Sequence, residues 1–194
     1  MSKVKSVLIV GVGGQGTLLA SRLLGNALLS KGYDVKVSEV HGMSQRGGSV
    51  VTYVRYGDKV ASPIVDLGEA DLILSFEALE AARFLPYLKK GGKIIVNTQQ
   101  IDPMPVVTGK AEYPENILDK IRNKGVEVVS ANALELAEQA GSVKAVNVVL
   151  MGMLAKHTDI EKQVWLDTVR DTVPPKFLDL NLKAFELGMA ASPQ

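Results

Sequence analysis

The stretch from Ser6 to Gly16 reads Ser-Val-Leu-Ile-Val-Gly-Val-Gly-Gly-Gln-Gly, and the prediction of the fold starts from it. A short apolar run that ends at a glycine cluster is typical of a buried parallel strand. Beyond the glycines, leucines and alanines recur at helical spacing, and Gly32 is placed to end that helix. Residues 34–40 then predict a second strand, so the chain opens as strand, glycine turn, helix and strand.

The glycine cluster fits the pattern G-x-G-x-x-G, which favours phosphate binding when a strand precedes it and a helix follows. Glycines permit a tight turn and a close approach of the backbone. The N-terminus of the following helix offers unpaired N–H groups and a positive dipole to an anion. The alternative is that the glycines only let strand and helix pack closely. We predict binding of an anion, foremost a phosphate, by these residues: Gly11, Gly13, Gly14, Gln15, Gly16 and Thr17.

A polar, glycine-rich loop follows the second strand. Arg46 has the shape and charge to hold a carboxylate or phosphate through two hydrogen bonds, and His41 has an ordinary pKa close to neutrality. Open α/β sheets bind ligands in loops at the C-terminal edge of their strands, although a merely solvated loop is the alternative. The residues predicted to contact substrate or an interface are Glu39, His41, Met43, Ser44, Gln45, Arg46, Gly47, Gly48 and Ser49.

The rest of the chain alternates strands with helices and then becomes mainly helical. Strands are predicted at 50–56, 71–75, 93–97 and 126–129, with a short extended piece after Gly57-Asp58. Helices are predicted at 77–88, 115–123, 131–140, 146–156, from a capping box at 158–161 to about 173, and at 176–187. Gly91-Gly92 and Gly188 are expected to end helices. The pattern predicts a Rossmann-like α/β fold in a single domain over residues 1–194, with a mostly parallel sheet, helices on both faces and a helical C-terminal part.

Several conspicuous side chains outside these motifs are expected to play ordinary structural roles. Glu77 and Glu80 share one helix and are interpreted as a solvated face rather than an acid/base pair. Trp165 is interpreted as packing, and His157 as a surface or capping residue. Asn147 lies in an apolar helix, where a buried amide must be hydrogen-bonded, so it is expected to pin a neighbouring loop.

Composition and charge disfavour several classes of protein. The chain has 22 basic and 21 acidic residues, a net charge of +1, which disfavours a surface built to neutralise nucleic-acid phosphates. It has 0 cysteines and 2 histidines, which excludes a thiolate-held cluster and leaves no metal site predicted. No apolar run reaches the ~18 residues of a membrane span, so a cytoplasmic protein without membrane contact is expected. No serine or lysine lies beside an activating partner, and no catalytic residue is assigned.

Taken together, the two glycine-rich motifs resemble one known family. Gly11-x-Gly13-Gly14-Gln15-Gly16, followed by Glu39-Val40-His41-Gly42-Met43-Ser44-Gln45-Arg46-Gly47-Gly48-Ser49-Val50, is similar to the gamma-type domain of 2-oxoacid:ferredoxin oxidoreductases. The second motif most resembles the small subunits of the indolepyruvate branch of that family. The resemblance continues through Tyr113-Pro114, Asn147, Gly152 and Gly188, and therefore spans nearly the whole chain.

The resemblance implies a complete enzyme that decarboxylates an arylpyruvate such as indolepyruvate with thiamine diphosphate and magnesium. That enzyme passes electrons through iron–sulfur clusters to ferredoxin and forms acyl-coenzyme A and CO2. In this family the thiamine and the clusters belong to the larger alpha subunit, which agrees with the lack of cysteine here. This chain would be the non-cluster subunit, inactive alone and holding none of these cofactors. A phosphate of coenzyme A would be one ligand for its glycine turn.

Two other functions remain open on the residues alone. A free-standing NAD(P)-dependent dehydrogenase is favoured by the glycine motif and by Glu39, which stands near the end of the second strand where an acid would bind the ribose. The long polar insertion after Glu39 and the lack of a convincing catalytic acid disfavour it. The other possibility is a non-catalytic assembly module in which the glycine turn no longer binds anything.

Overall fold

The computed structural model describes residues 4–41 and 47–192, and in these ranges it contains one six-stranded sheet. The strands are β1 (Lys5–Val12), β2 (Asp34–His41), β3 (Ser49–Gly57), β4 (Ala70–Ser75), β5 (Leu88–Asn97) and β6 (Glu127–Ala131). They lie side by side in the order β2-β3-β1-β4-β5-β6. The β1–β4, β4–β5 and β5–β6 pairs are parallel, whereas β3 runs antiparallel to both β1 and β2.

Helices cover both faces of this sheet, which confirms the expected α/β class and the helical C-terminal part. The helices are α1 (Thr17–Ser30), α2 (Ala78–Phe84), α3 (Met104–Val107), α4 (Ile117–Arg122), α5 (Ala133–Ala140), α6 (Val146–Ala155), α7 (Lys162–Thr172) and α8 (Leu178–Ala191). Short 3-10 turns occupy Leu85–Tyr87, Val143–Ala145 and Pro175–Phe177.

Side chains along β1 point alternately to the two faces of the sheet and pack against the helices on each face. Val7 and Ile9 are buried in one hydrophobic cluster with α1 and the C-terminal helices. Leu8 and Val10 point to the other face and are buried in a second cluster with α2 and α4. Because successive side chains of a strand point to opposite faces, a strand covered on both sides reads as a continuous apolar run.

The antiparallel strand β3 lies between β1 and β2. β2 ends at His41 and β3 begins at Ser49, so the connection is far too short for the crossover that a parallel pair needs. The chain instead turns back as a hairpin and pairs in full register, from Asp34 opposite Gly57 to His41 opposite Val50. β1 and β2, the first two strands along the chain, are therefore not neighbours in the sheet.

Several predicted boundaries are wrong because tertiary contacts override local patterns. Helix α2 ends at Phe84, and Gly91-Gly92 lies within β5 instead of ending a helix, next to a register shift against β4. No strand occupies residues 58–69. The predicted capping box does not cap α7, since the Thr158 hydroxyl donates to the Ala155 carbonyl at 2.9 Å and the helix begins only at Lys162.

Gly188 does not end a helix; it lies inside α8, where α8 crosses α6. A Cβ atom at Gly188 would come within 1.9 Å of the Val149 carbonyl oxygen. A Cβ atom at Gly152 would come within 2.1 Å of the Phe185 carbonyl oxygen. Two glycines thus let the backbones of α6 and α8 touch. Trp165 is fully buried nearby with its ring 6.0 Å from that of Phe185, which confirms its packing role.

Candidate functional site

The glycine turn joins β1 to α1 at the C-terminal edge of the parallel strands. Gly14 and Gly16 have φ angles of +102° and +87°, which side-chain-bearing residues rarely adopt. Gly16 is the N-cap of α1, and among the described residues no side chain caps this helix. The first N–H groups of a 14-residue helix therefore remain available at the turn. That is the backbone arrangement that anions bind.

Gln15 fixes the shape of the turn through three hydrogen bonds. Its Oε1 accepts from the Val12 N–H at 2.7 Å, and its Nε2 donates to the Phe76 carbonyl at 3.1 Å. The same Nε2 donates to Gln99 Oε1 at 3.3 Å. Buried Asn97 extends the network, because its Nδ2 also donates to the Phe76 carbonyl and its Oδ1 accepts from the Ala133 N–H. The turn is thus tied to the ends of β4 and β5.

The hairpin connection between β2 and β3 returns to the glycine turn. The Gly13 N–H donates to the Gly48 carbonyl at 2.8 Å, and the Gly47 N–H donates to the Gly13 carbonyl at 3.4 Å. Gly47 has a φ of +77°, which suits a glycine at this contact. The structure therefore brings the two sequence motifs together at one edge of the sheet.

A cavity of about 350 Å³ opens beside the glycine turn and has polar groups around it. Lys144 brings a positive charge to it, and Gln99 brings an amide. Asn147 is 8% exposed, and its Nδ2 lies 2.9 Å from the position that a Cβ atom on Gly16 would occupy. Its Oδ1 accepts from the Val148 N–H, while its Nδ2 has no acceptor among the described residues. The cavity therefore combines a helix N-terminus, an ammonium group and an unpaired amide donor.

The other predicted site residues are placed as follows. Glu39 is exposed on β2, where its Oε1 accepts from the Ser21 hydroxyl of α1 at 3.0 Å, and it does not line the cavity beside the turn. His41 pairs with Val50 through its backbone. Ser49 pairs with Val12 at the start of β3. Met43, Ser44, Gln45 and Arg46 lie outside the described residues.

Glu77 and Glu80 are buried, with exposures of 1% and 4%, so their interpretation as a solvated face is wrong. Glu77 caps α2 by accepting from the Glu80 N–H at 2.8 Å, and its other oxygen accepts from the Ile101 N–H at 3.1 Å. Glu80 accepts from the Ser49 hydroxyl and from Arg83 Nε. Their spacing on a short helix could not reveal this, because the partners come from distant segments. The two carboxylates anchor loops that border the candidate site.

Tyr113 closes the segment between β5 and α4 onto Glu77. Its hydroxyl donates to Glu77 Oε1 and accepts from the Leu79 N–H at 3.2 Å. Burial, together with the neighbouring Glu77 carboxylate, raises the pKa of Tyr113 well above its ordinary value. The hydroxyl therefore stays protonated and remains a donor throughout the physiological pH range. This holds the loop that carries Gln99 against the glycine turn.

Sequence reasoning named Asn147 for a structural role and missed Gln99 and Lys144 entirely. Neither of the missed residues belongs to a motif, and only the meeting of chain segments at the sheet edge brings them to the turn. Within residues 4–41 and 47–192, no group of three or more metal-binding side chains is present. In the same ranges, no helix has the length and apolar character that crossing a bilayer requires.

Comparisons with known proteins agree with the two-motif resemblance. The family model described as pyruvate ferredoxin/flavodoxin oxidoreductase matches residues 6–191. The indolepyruvate oxidoreductase subunit IorB of Thermococcus kodakarensis is 46% identical over an alignment of 198 positions, gaps included, which covers 98% of this chain and 96% of that one. The chain's match thus extends over almost the full length of this relative.

Two solved structures share the fold. The gamma subunit of a keto/oxoacid ferredoxin oxidoreductase from Geobacter sulfurreducens has a TM-score of 0.72 and 23% identity, covering 97% of this chain and 98% of that one. A 2-oxoglutarate:ferredoxin oxidoreductase from Magnetococcus marinus, solved with 2-oxoglutarate, coenzyme A and succinyl-CoA bound, has a TM-score of 0.75 and 19% identity. The match covers 99% of this chain and 31% of that one.

The family match covers nearly all of the chain, and the solved structures share its fold. The protein therefore belongs to the pyruvate ferredoxin/flavodoxin oxidoreductase family, as a subunit of a 2-oxoacid ferredoxin oxidoreductase.

Proposed function

We propose that this chain is the non-cluster subunit of a thiamine-dependent indolepyruvate:ferredoxin oxidoreductase, which forms acyl-coenzyme A, CO2 and reduced ferredoxin. The observation that carries the proposal is the 46% identity, over almost the full length of both chains, to a subunit of an indolepyruvate oxidoreductase. A larger subunit would supply thiamine diphosphate, magnesium and the clusters. This chain's own donor set does not fit an iron–sulfur cluster, since it contains 0 cysteines.

The part we assign to this subunit is binding of a phosphate of coenzyme A at the glycine turn. The open N-terminus of α1, the ammonium group of Lys144 and the amide of Asn147 all favour an anion in the cavity beside the turn. A mostly apolar cavity of about 380 Å³ adjoins it and shares Lys144 and Asn147. Coenzyme A carries both phosphates and a ring system, so the two cavities together suit a molecule of that kind.

The structure gives a reason to prefer this function to a free-standing dehydrogenase. In a dinucleotide-binding fold, an acid at the end of the strand beside β1 binds the ribose. Here β3 separates β2 from β1, and the Glu39 carboxylate accepts a hydrogen bond from the Ser21 hydroxyl of α1.

Anaerobic affinity purification of the chain from its native cells tests the proposed assembly. We expect a larger, cysteine-rich partner that contains thiamine, together with the visible absorption of iron–sulfur clusters. A colourless chain recovered alone, and able to bind one equivalent of NADH, would contradict the proposal and favour a dehydrogenase. Oxidation of several 2-oxoacids by the purified complex then identifies the substrate, with indolepyruvate expected to have the highest kcat/KM.

Replacing Lys144 with glutamate tests the phosphate site. We expect the KM for coenzyme A to rise about tenfold with little change in kcat, because an attractive charge becomes repulsive in the cavity that we propose for its phosphate. Steady-state kinetics of the assembled complex measure this, with Lys124→Glu as a control because it makes the same change in charge on the exposed chain after α4. Equal KM values for the two variants would contradict the proposal that a phosphate of coenzyme A binds in this cavity.

A further inference from the structure

A second, larger pocket lies at the sheet edge opposite the glycine turn. Its volume is about 660 Å³, and it opens where β1, β4 and β5 begin and where α6 ends. β1 alone spans about 25 Å at the usual rise per residue, so the two edges are far apart. The charged residues in its lining are Lys5, Lys89, Lys90, Lys93, Lys156, Asp71 and Asp159. The anion cavity beside the turn shares none of these residues.

The pocket concentrates positive charge. Five lysines face two aspartates, a surplus of three positive charges in a chain whose total net charge is +1. Three of the lysines are neutralised by ion pairs: Lys5 with Asp159, Lys89 with Asp71, and Lys93 with Glu127. Lys90 and Lys156 form no ion pair with any described residue. These two ammonium groups remain available to an acidic partner.

Two further titratable side chains, Tyr56 and His157, line the pocket, and of these only the histidine can carry a positive charge. His157 is partly buried, and that burial together with the nearby Lys93 ammonium lowers the pKa of its ring. The ring is therefore neutral near pH 7, and its Nε2 lies 2.9 Å from the Ser192 hydroxyl. The positive charge of the pocket near pH 7 therefore comes from its lysines.

Both ends of the described chain lie beside this pocket. Val4 immediately precedes Lys5, which lines the pocket, and Ser192 contacts His157, which also lines it. In the Magnetococcus marinus enzyme the same fold makes up about a third of a longer chain. The rest of such a chain must leave the domain at one or both of its ends. In a domain with the ends placed as they are here, it would leave at the edge that carries the lysines.

We propose that the lysine pocket is a docking site for an acidic segment of the larger partner subunit. The inference rests on the proposed function, since it needs that subunit to exist. The positive charge of the pocket favours an acidic segment as its partner. The chain ends favour the larger subunit, because in longer relatives of this fold the additional chain would join the domain at this edge. Lys90 and Lys156 make the ion pairs with the partner, while the glycine turn at the opposite edge stays free for its own ligand.

The test measures the Kd between the two subunits at about 50 mM and about 300 mM salt, anaerobically. We expect the double variant Lys90→Glu/Lys156→Glu to bind roughly tenfold more weakly than the wild type at low salt, with a smaller difference at high salt where charges are screened. The control is Lys110→Glu/Lys124→Glu, which makes the same change in charge at two exposed lysines away from the pocket. The control is expected to bind like the wild type.

Each outcome separates the inference from the proposed function. A folded double variant with wild-type Kd and salt dependence would overturn the docking site and leave the proposed function intact. A wild-type chain that binds no larger subunit would overturn the proposed function, and the docking site with it. If the reversed variant melts early, Lys90→Gln/Lys156→Gln replaces it, with an expected loss of about threefold. Saturable binding of inorganic phosphate at this pocket, with an unchanged subunit Kd, would also overturn the docking site.

Discussion

Gly188→Ala is expected to lower the free energy of unfolding by more than about 3 kcal/mol, or to prevent native folding altogether. The added methyl group would lie 1.9 Å from the Val149 carbonyl oxygen, and that oxygen belongs to helix backbone that cannot rotate away. Relief requires α8 to move away from α6, which would open the core around Trp165 and Phe185. Urea denaturation followed by circular dichroism measures the loss.

Gly25→Ala is the matched control for that experiment. Gly25 is also a buried glycine inside a long helix, but a Cβ atom there would meet nothing within 4 Å. We expect this variant to gain roughly 0.5–1 kcal/mol, because alanine loses less conformational entropy than glycine when a helix forms. Equal stability changes in the two variants would show that helix propensity, and not the close crossing of α6 and α8, governs Gly188.

Glu77→Ala is expected to lower the free energy of unfolding by about 2–4 kcal/mol. The substitution removes the cap of α2 and leaves the Ile101 N–H and the Tyr113 hydroxyl without their acceptor. The segment from 98 to 113 should then exchange its amide hydrogens faster, since its hydrogen bonds to Glu77 are gone. Hydrogen exchange measured by mass spectrometry, alongside urea denaturation, checks both parts of this prediction.

The control for Glu77 is Glu135→Ala, which removes a glutamate from the first turn of another helix, where Asn132 and not the glutamate is the N-cap. Glu135 is exposed, and its side chain makes no hydrogen bond with a described residue, so a change within about 0.5 kcal/mol is expected. In the assembled enzyme, Glu77→Ala should also raise the KM for coenzyme A, because Gln99 lies in the released segment and borders the anion cavity. Unchanged exchange rates at 98–113 would refute the role of Glu77 as an anchor.

Much of the fold could be predicted because its signals are local. The apolar run before Gly11 and the helical spacing after it depend only on neighbouring residues, and β1 and α1 follow them closely. The position of Gly188 within a helix could not be predicted in this way. Glycine ordinarily ends a helix, and only contact with a residue some 40 positions earlier in the chain explains why this one does not.

In the candidate site, too, the features with local sequence signals could be predicted and those that depend on distant contacts could not. The glycine turn and the hairpin loop can each be recognised from the sequence, because glycines clustered with polar residues indicate turns and loops. Their mutual contact through Gly13 and Gly48 was not predicted, because it depends on the pairing of β3 with β1. The predicted solvent exposure of Glu77 and Glu80 is wrong, since a carboxylate near the start of a helix is ordinarily solvated unless donors from distant segments reach it.

The position of β3 also constrains the order in which the molecule can fold. In an ordinary strand–helix–strand unit, the first 40 residues can form a native strand pair as soon as the helix closes the connection. Here β1 and β2 do not pair with each other, and neither can form its native pairing with β3 until β3 has been synthesised. The shortest N-terminal fragment with complete native pairing among its strands therefore ends at Gly57. During synthesis on a ribosome, α1 therefore cannot pack against fully paired strands until β3 has emerged.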